Sequence, residues 1–266
     1  MTLFNKETNI LITDDSCGLN VCDLNGNLLK SINPDGCLKQ PFGICVGIRK
    51  NGIEEVYVHD WEARTVFVFN QDFKLIKKIG KNLKQSYDLT IDCDSDILYC
   101  LHTDDDVVTL WNVNDTKLIQ ELKIERPLEI KINENKIYIV SRGDSVVDFR
   151  KRKLGNLKKG NYINVLNKSN NELISKIQFD DWFRPWSLYL SSDGDIYTTA
   201  HELDKNNGTW SDNRFLFIID STSYQIKQKI ELNDVDYFSD ALFLSFQLIL
   251  CAVNGICNLI RIIEFE

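Results

Sequence analysis

The chain has 266 residues and a formal net charge of -8, and its longest apolar run, around 241–253, is broken by Ser245 and Gln247. The acidic balance excludes a surface that is basic throughout, as a general DNA or RNA binder needs, and no run approaches the roughly 18–20 residues of a membrane span. Only Ala63, Ala200, Ala241 and Ala252 are alanines, whereas Ile, Val, Tyr, Phe and Trp are plentiful; that composition favours strands over helices.

The first residues lack the basic-then-apolar layout of a signal peptide. Cys17, Cys22, Cys45, Cys93, Cys100 and Cys251 mostly stand where a strand takes a small apolar residue, with no CxxC spacing. Both features predict reduced thiols in a cytoplasmic protein. The sequons at Asn114, Asn167 and Asn207 are of a kind that an Asn-rich chain produces by chance.

Along the chain one pattern recurs: a few β-formers, often with a Tyr, running into a polar turn. It opens at Asn9–Asp14, continues at Glu55–Asp60, Ile97–His102, Lys136–Arg142 and Asp195–His201, and closes at Leu248–Asn254. Aligned on Leu11, Tyr57, Tyr99, Tyr138, Tyr197 and Leu250, the steps are 46, 42, 39, 59 and 53 residues. The two long steps carry polar insertions at 142–160 and 202–213. Without these the period is about 40 residues, the length of a four-stranded propeller blade.

Within each unit the order of strands repeats. The second unit runs Pro41–Ile48, a polar turn, the Tyr57 strand, Thr65–Phe69, and Phe73–Ile79 followed by Gly80. Such a unit cannot bury both of its faces alone, so units stack. The sequence predicts one all-β domain, a six-bladed β-propeller of four-stranded antiparallel blades at about 1–38, 39–84, 85–125, 126–181, 182–234 and 235–266. The first unit has room for a truncated first strand at most, and the last stops after its third.

Pro41-Phe-Gly-Ile44, Tyr57-Val-His-Asp60, Arg64, Val66-Phe-Val-Phe69 and Gly80 together resemble an NHL repeat, and the other units match in part over most of the chain. Val108–Val113 with Thr116 resembles instead the third strand of a WD40 blade, but no Gly-His precedes it. The NHL resemblance implies a binding module that holds protein or RNA on one face. It also implies an enzymatic alternative, since relatives similar to peptidyl-hydroxyglycine lyases hold zinc with a His from each of several blades, and other six-bladed propellers hold calcium.

Three groups of residues are candidates for a site. His59, His102 and His201, the chain's three histidines, stand just after the aligned Tyr, where the other units have Asp14, Arg142 and Asn254. Equivalent positions in a propeller ring its axis, and three His with a water form a catalytic zinc arrangement; a solvated turn explains the same slot. Carboxylates at the turns, among them Asp60, Glu62, Asp104 and Asp204, suit calcium or ordinary turn capping.

The second group is the basic insertion, with Arg142, Arg150, Lys151, Arg152 and Lys153, which reads as a solvated loop or as a patch for RNA phosphates or an acidic peptide. The third is aromatic: Trp61, Trp186 and Trp210 lie in or beside turns, and exposed Trp marks binding hot spots. The sequence therefore predicts a non-catalytic scaffold that binds a protein or peptide through Trp61, Arg142, the 150–153 basic run, Trp186 and Trp210, with no cofactor. A metal-dependent lyase or hydrolase is one alternative and RNA binding is another.

Overall fold

Among the described residues every regular element longer than a single 3-10 turn is a strand, in keeping with the excess of β-branched and aromatic residues. The computed structural model describes residues 1–4, 8–14, 18–84, 86–142, 161–191, 194–204, 210–232, 240–244, 247–254 and 257–264, with the side chains of Arg142, Trp210, Asp212 and residues 240 onward excepted. The chain divides into two compact units, Met1–Ile124 and Glu125–Glu266.

The first unit holds three antiparallel four-stranded sheets, each in simple chain order. They are β1 Thr2–Phe4, β2 Asn9–Asp14, β3 Gly18–Asp23 and β4 Leu28–Ile32; then β5 Pro41–Ile48, β6 Glu54–Asp60, β7 Thr65–Asn70 and β8 Leu75–Ile79; then β9 Leu89–Asp92, β10 Ile97–His102, β11 Val107–Asn112 and β12 Leu118–Lys123. The second unit has two more: β13 Pro127–Ile132, β14 Lys136–Arg142, β15 Asn161–Asn167 and β16 Leu173–Gln178; and β17 Phe183–Leu190, β18 Asp195–Leu203, β19 Trp210–Asp220 and β20 Ile226–Glu231. It ends in a three-stranded sheet of β21 Asp240–Leu244, β22 Gln247–Asn254 and β23 Cys257–Glu264.

The expected six four-stranded blades are thereby corrected to five. The short β1 pairs with β2, which completes the first sheet from its own residues, and among the described residues β21–β23 gain no fourth strand.

Middle strands such as β6, β7 and β10 are buried on both faces, which is why these stretches read as continuous apolar runs rather than alternating ones. In β6 and β7, Val56, Val58, Phe67 and Phe69 pack toward the first sheet with Leu11, Leu19 and Val21. Their neighbours Tyr57, Val66 and Val68 pack toward the third sheet with Leu89, Leu98 and Cys100. Period two thus sends alternate side chains into two different cores. Cys22, Cys45, Cys93 and Cys100 form no disulfide, and all but Cys93 are buried.

At the end opposite the Asp60 turn, Arg49 clasps the second and third sheets. Its Nη1 lies 2.9 Å from Asp96 Oδ1 and its Nη2 donates to Asn114 Oδ1 at 2.7 Å, while Asn114 Nδ2 donates to Asp96 Oδ2 at 2.9 Å. The carboxamide of the Asn114 sequon is thus engaged on both of its atoms.

The hairpin between the third and fourth strands is built alike in all five four-stranded sheets. Its first residue, Asp23, Asn70, Asn112, Asn167 or Asp220, turns its side-chain oxygen back onto backbone N–H groups two to four residues on. Asx side chains nucleate turns in this way. At Asp220 the bonds from Ser223, backbone first and then hydroxyl, hold the carboxyl well below the usual range.

Candidate binding surface at the end of the second sheet

The surface is built outward from Asp60, the last residue of β6 and fully buried. Its Oδ2 accepts the backbone N–H groups of Lys39 at 2.7 Å and Gln40 at 2.8 Å, and its Oδ1 accepts that of Ala63 at 2.7 Å. One carboxylate therefore fixes both the chain leading into β5 and the 60–64 turn. Arg64, at φ 54, closes that turn by donating its N–H to the Asp60 carbonyl. Its guanidinium Nε donates to the Leu83 carbonyl at 3.0 Å, drawing the 80–88 connection across the end of the sheet.

That connection carries Ser86 and Tyr87. The Ser86 carbonyl accepts the Trp61 indole N–H at 2.8 Å. Phe42, from the start of β5, stacks on Trp61 with ring centroids 4.2 Å apart and planes within 14°. Tyr87 meets both edge-on, at 5.5 Å from Phe42 and 5.3 Å from Trp61. Trp61 and Tyr87 are half-buried, and Phe42 is 40 % exposed. Two ion pairs stand nearby, Lys39 with Glu62 at 2.9 Å and Lys84 with Asp105. The Glu62 carboxylate beside Lys39 raises the ammonium's pKa.

Two of the three histidines lie in this unit. His59 is fully buried, and neither ring nitrogen has a hydrogen-bond partner. Burial pushes its imidazole down to about 4, and nearby His102 adds to the shift. Asp60 opposes it, as does the Ser86 backbone, which lies near but outside hydrogen-bonding geometry.

His102 sits in a chain of bonds that assigns its tautomer. Its Nδ1 lies 3.3 Å from the Lys84 carbonyl, which can only accept, so Nδ1 carries the proton. Nε2, 2.8 Å from Thr109 Oγ1, then accepts the hydroxyl proton, and that oxygen accepts the Trp111 indole N–H at 2.9 Å.

The third histidine, His201 in β18, is buried beside the Trp186 ring at 5.4 Å. Strand pairing sets it between Arg184 and Arg214, both also buried. Each guanidinium donates through Nη1 to backbone carbonyls, Arg184 to Asp181 and Arg214 to Asn213.

The slot that holds the three histidines is therefore not a solvated turn, since all three side chains are buried. His59 pairs with Val66, His102 with Val107 and His201 with Arg214 inside their ladders. Among the described residues no group of three or more His, Cys, Asp or Glu is arranged to hold a metal ion. Asp60, expected as a turn capper or a calcium ligand, caps.

Of the expected contact residues, Trp61 lies in the aromatic stack, and Trp186 lies in the second unit against His201. Arg150, Lys151, Arg152 and Lys153 lie outside the described residues, as do the side chains of Arg142 and Trp210. Phe42 and Tyr87 escaped sequence reasoning. Their signal is an aromatic residue at the first step of a strand and another in the connection after Gly80, each of which reads alone as packing.

No protein-family profile matches the chain, and no curated protein matches it. Solved structures do. A chain of hydrazine synthase from Kuenenia stuttgartiensis is 13 % identical and aligns with a TM-score of 0.69 over 94 % of this chain and 72 % of its own. A protein of unknown function from Bacteroides caccae is also 13 % identical, with a TM-score of 0.61 over 90 % and 83 %. The Dos1 propeller is 10 % identical, with a TM-score of 0.59 over 94 % and 65 %.

The chain has a β-propeller fold. At these identities the likeness carries the fold and no activity. In propeller terms, the aromatic stack stands at the end of the second blade, where the connection to the third blade crosses it. Among the described residues no helix is long and apolar enough to cross a membrane.

Proposed function

We propose that the propeller is a non-catalytic binding module that holds a protein or peptide partner against the Phe42–Trp61–Tyr87 stack. The observation that carries this reading is the open face of Phe42, backed by Trp61 and fixed from behind by the Trp61–Ser86 bond. Because the indole N–H is already engaged, the stack offers ring faces and edges rather than a donor. A rigid aromatic surface loses little freedom on binding. Trp186, Arg142, Trp210 and the 150–153 basic run are further proposed contacts, read from sequence. The NHL resemblance agrees with such a module, and the free cysteines suit a cytoplasmic setting.

Peptides selected from a display library against the native chain test the reading. Phe42→Ala should weaken them about tenfold or more while leaving the far-ultraviolet circular dichroism unchanged. Equal binding to both proteins would place the partner elsewhere. Metal retained through purification, or salt-sensitive RNA retention lost on replacing residues 150–153 by Ser, would favour the enzyme or the RNA reading instead.

A further inference from the structure

Among the described residues the fourth strand of every complete blade is an edge of its sheet, paired on one side only. Such an edge is a template for another chain. The sequence sharpens the hazard, because each of these strands opens on aliphatic side chains that are 38–59 % exposed, such as Leu75 and Ile76 in β8 and Leu173 and Ile174 in β16. Exposed aliphatic β-formers on a free edge are what strand-to-strand association needs.

At the same place in all five edges the ladder breaks. In β8, Leu75 pairs with Phe69 and Lys77 with Val68, so Ile76 is skipped. The skipped residue is Leu29 in β4, Ile119 in β12, Ile174 in β16 and Lys227 in β20. Each skip is a β-bulge, one extra residue that bends the strand and raises its twist. The bend falls within the first three residues of the strand, beside the exposed aliphatic side chains.

We infer that the recurring bulge guards the open edges of the propeller against strand pairing with other chains, a second copy included. A bent edge cannot present a straight row of N–H and C=O groups, so the aliphatic side chains stay exposed without a ladder to extend.

Deleting Ile76 from the full chain tests the guard, because it leaves Leu75 and Lys77 opposite their present partners in an unbroken ladder. Deleting Ile119 or Ile174 repeats the test in two other blades. Light scattering coupled to size-exclusion chromatography should show self-association strengthened about tenfold or more over the parent, with native circular dichroism. Ile76→Ser, which keeps the bulge, should associate no more than the parent. Folded deletion chains that associate no more than the parent would overturn the inference. Lys77→Thr combined with Lys78→Val gives an arm that does not depend on whether the deletions fold. It keeps the bulge and should stay like the parent; stronger association there would show that charge shields the edge, and would overturn the inference equally.

Discussion

The Trp61 indole donates to the Ser86 carbonyl across 2.8 Å, tying the turn after β6 to the connection that enters the third blade. Ser86 is fully buried, so the carbonyl has little recourse to water. Trp61→Phe keeps an aromatic ring in the stack and removes the donor. It should cost about 1–3 kcal/mol, the range for leaving a buried acceptor unmet, read as a lower midpoint in urea with unchanged slope.

Asp60 is expected to matter more. Asp60→Ala strands three backbone N–H groups, those of Lys39, Gln40 and Ala63, in a fully buried place. Losing several charge-assisted bonds at once should cost at least about 3 kcal/mol. Asp14, the last residue of β2 as Asp60 is of β6, is half-buried and accepts from Asn20 Nδ2 at 3.2 Å, so Asp14→Ala should cost less than about 1 kcal/mol. Chemical denaturation of both variants checks the contrast.

The difference between these two aspartates shows what sequence could convey. The strands around Tyr57, Tyr99 and Tyr138 were legible because burial on both faces makes them uniformly apolar. The fate of the slot after them was not, since a polar residue at a strand end reads the same whether it caps a backbone, as Asp60 does, or lies in a buried ladder, as His59 does. The outer hairpins were harder still. Asp23 and Asn70 start turns one residue shorter than Asn112, Asn167 and Asp220 do, and this slip blurs any fixed period. The blade count turned on the last unit: 235–266 reads as three strands and β21–β23 do share one sheet, but sequence cannot say whether a strand from elsewhere in the chain completes it, and among the described residues none does. Trp61 was legible as a candidate, whereas Phe42 joins it through the β5–β6 pairing that sets Pro41 opposite Asp60, and Tyr87 through the path of the 80–88 connection.

His59 makes acid stability predictable in sign. Its folded-state pKa is about 4, below the ordinary 6.5, chiefly because burial disfavours the charged form. Between those values the unfolded chain binds a proton that the folded chain refuses, so stability falls as pH drops from about 6.5 to 4, and His59 adds no further loss below that. The contribution is up to about 3 kcal/mol by the linkage relation. His59→Leu leaves no hydrogen bond unmet, because neither ring nitrogen makes one. It should flatten the decline between pH 6.5 and 4 while leaving stability at pH 7 within about 1 kcal/mol. Thermal melts across that range decide it; an unchanged pH profile would assign the acid lability to other groups.

Stacking of the second blade on the third depends on two glycines of β5 that face it. A Cβ on Gly43 would come within 2.7 Å of Leu89 Cδ2, and one on Gly47 within 2.7 Å of Ile91 Cγ2 and 3.0 Å of Cys93 Sγ. The neighbours differ in how far they can yield. Leu89 Cδ2 is the far end of a side chain with two rotatable bonds, whereas Ile91 Cγ2 is attached directly to a branched Cβ with one preferred rotamer. Gly47→Ala should therefore destabilise by about 1–3 kcal/mol through overpacking, and Gly43→Ala by less. If the order of the two midpoints in urea were reversed, the Asp88 backbone beside Gly43, 3.4 Å from the same Cβ, would be the stiffer wall.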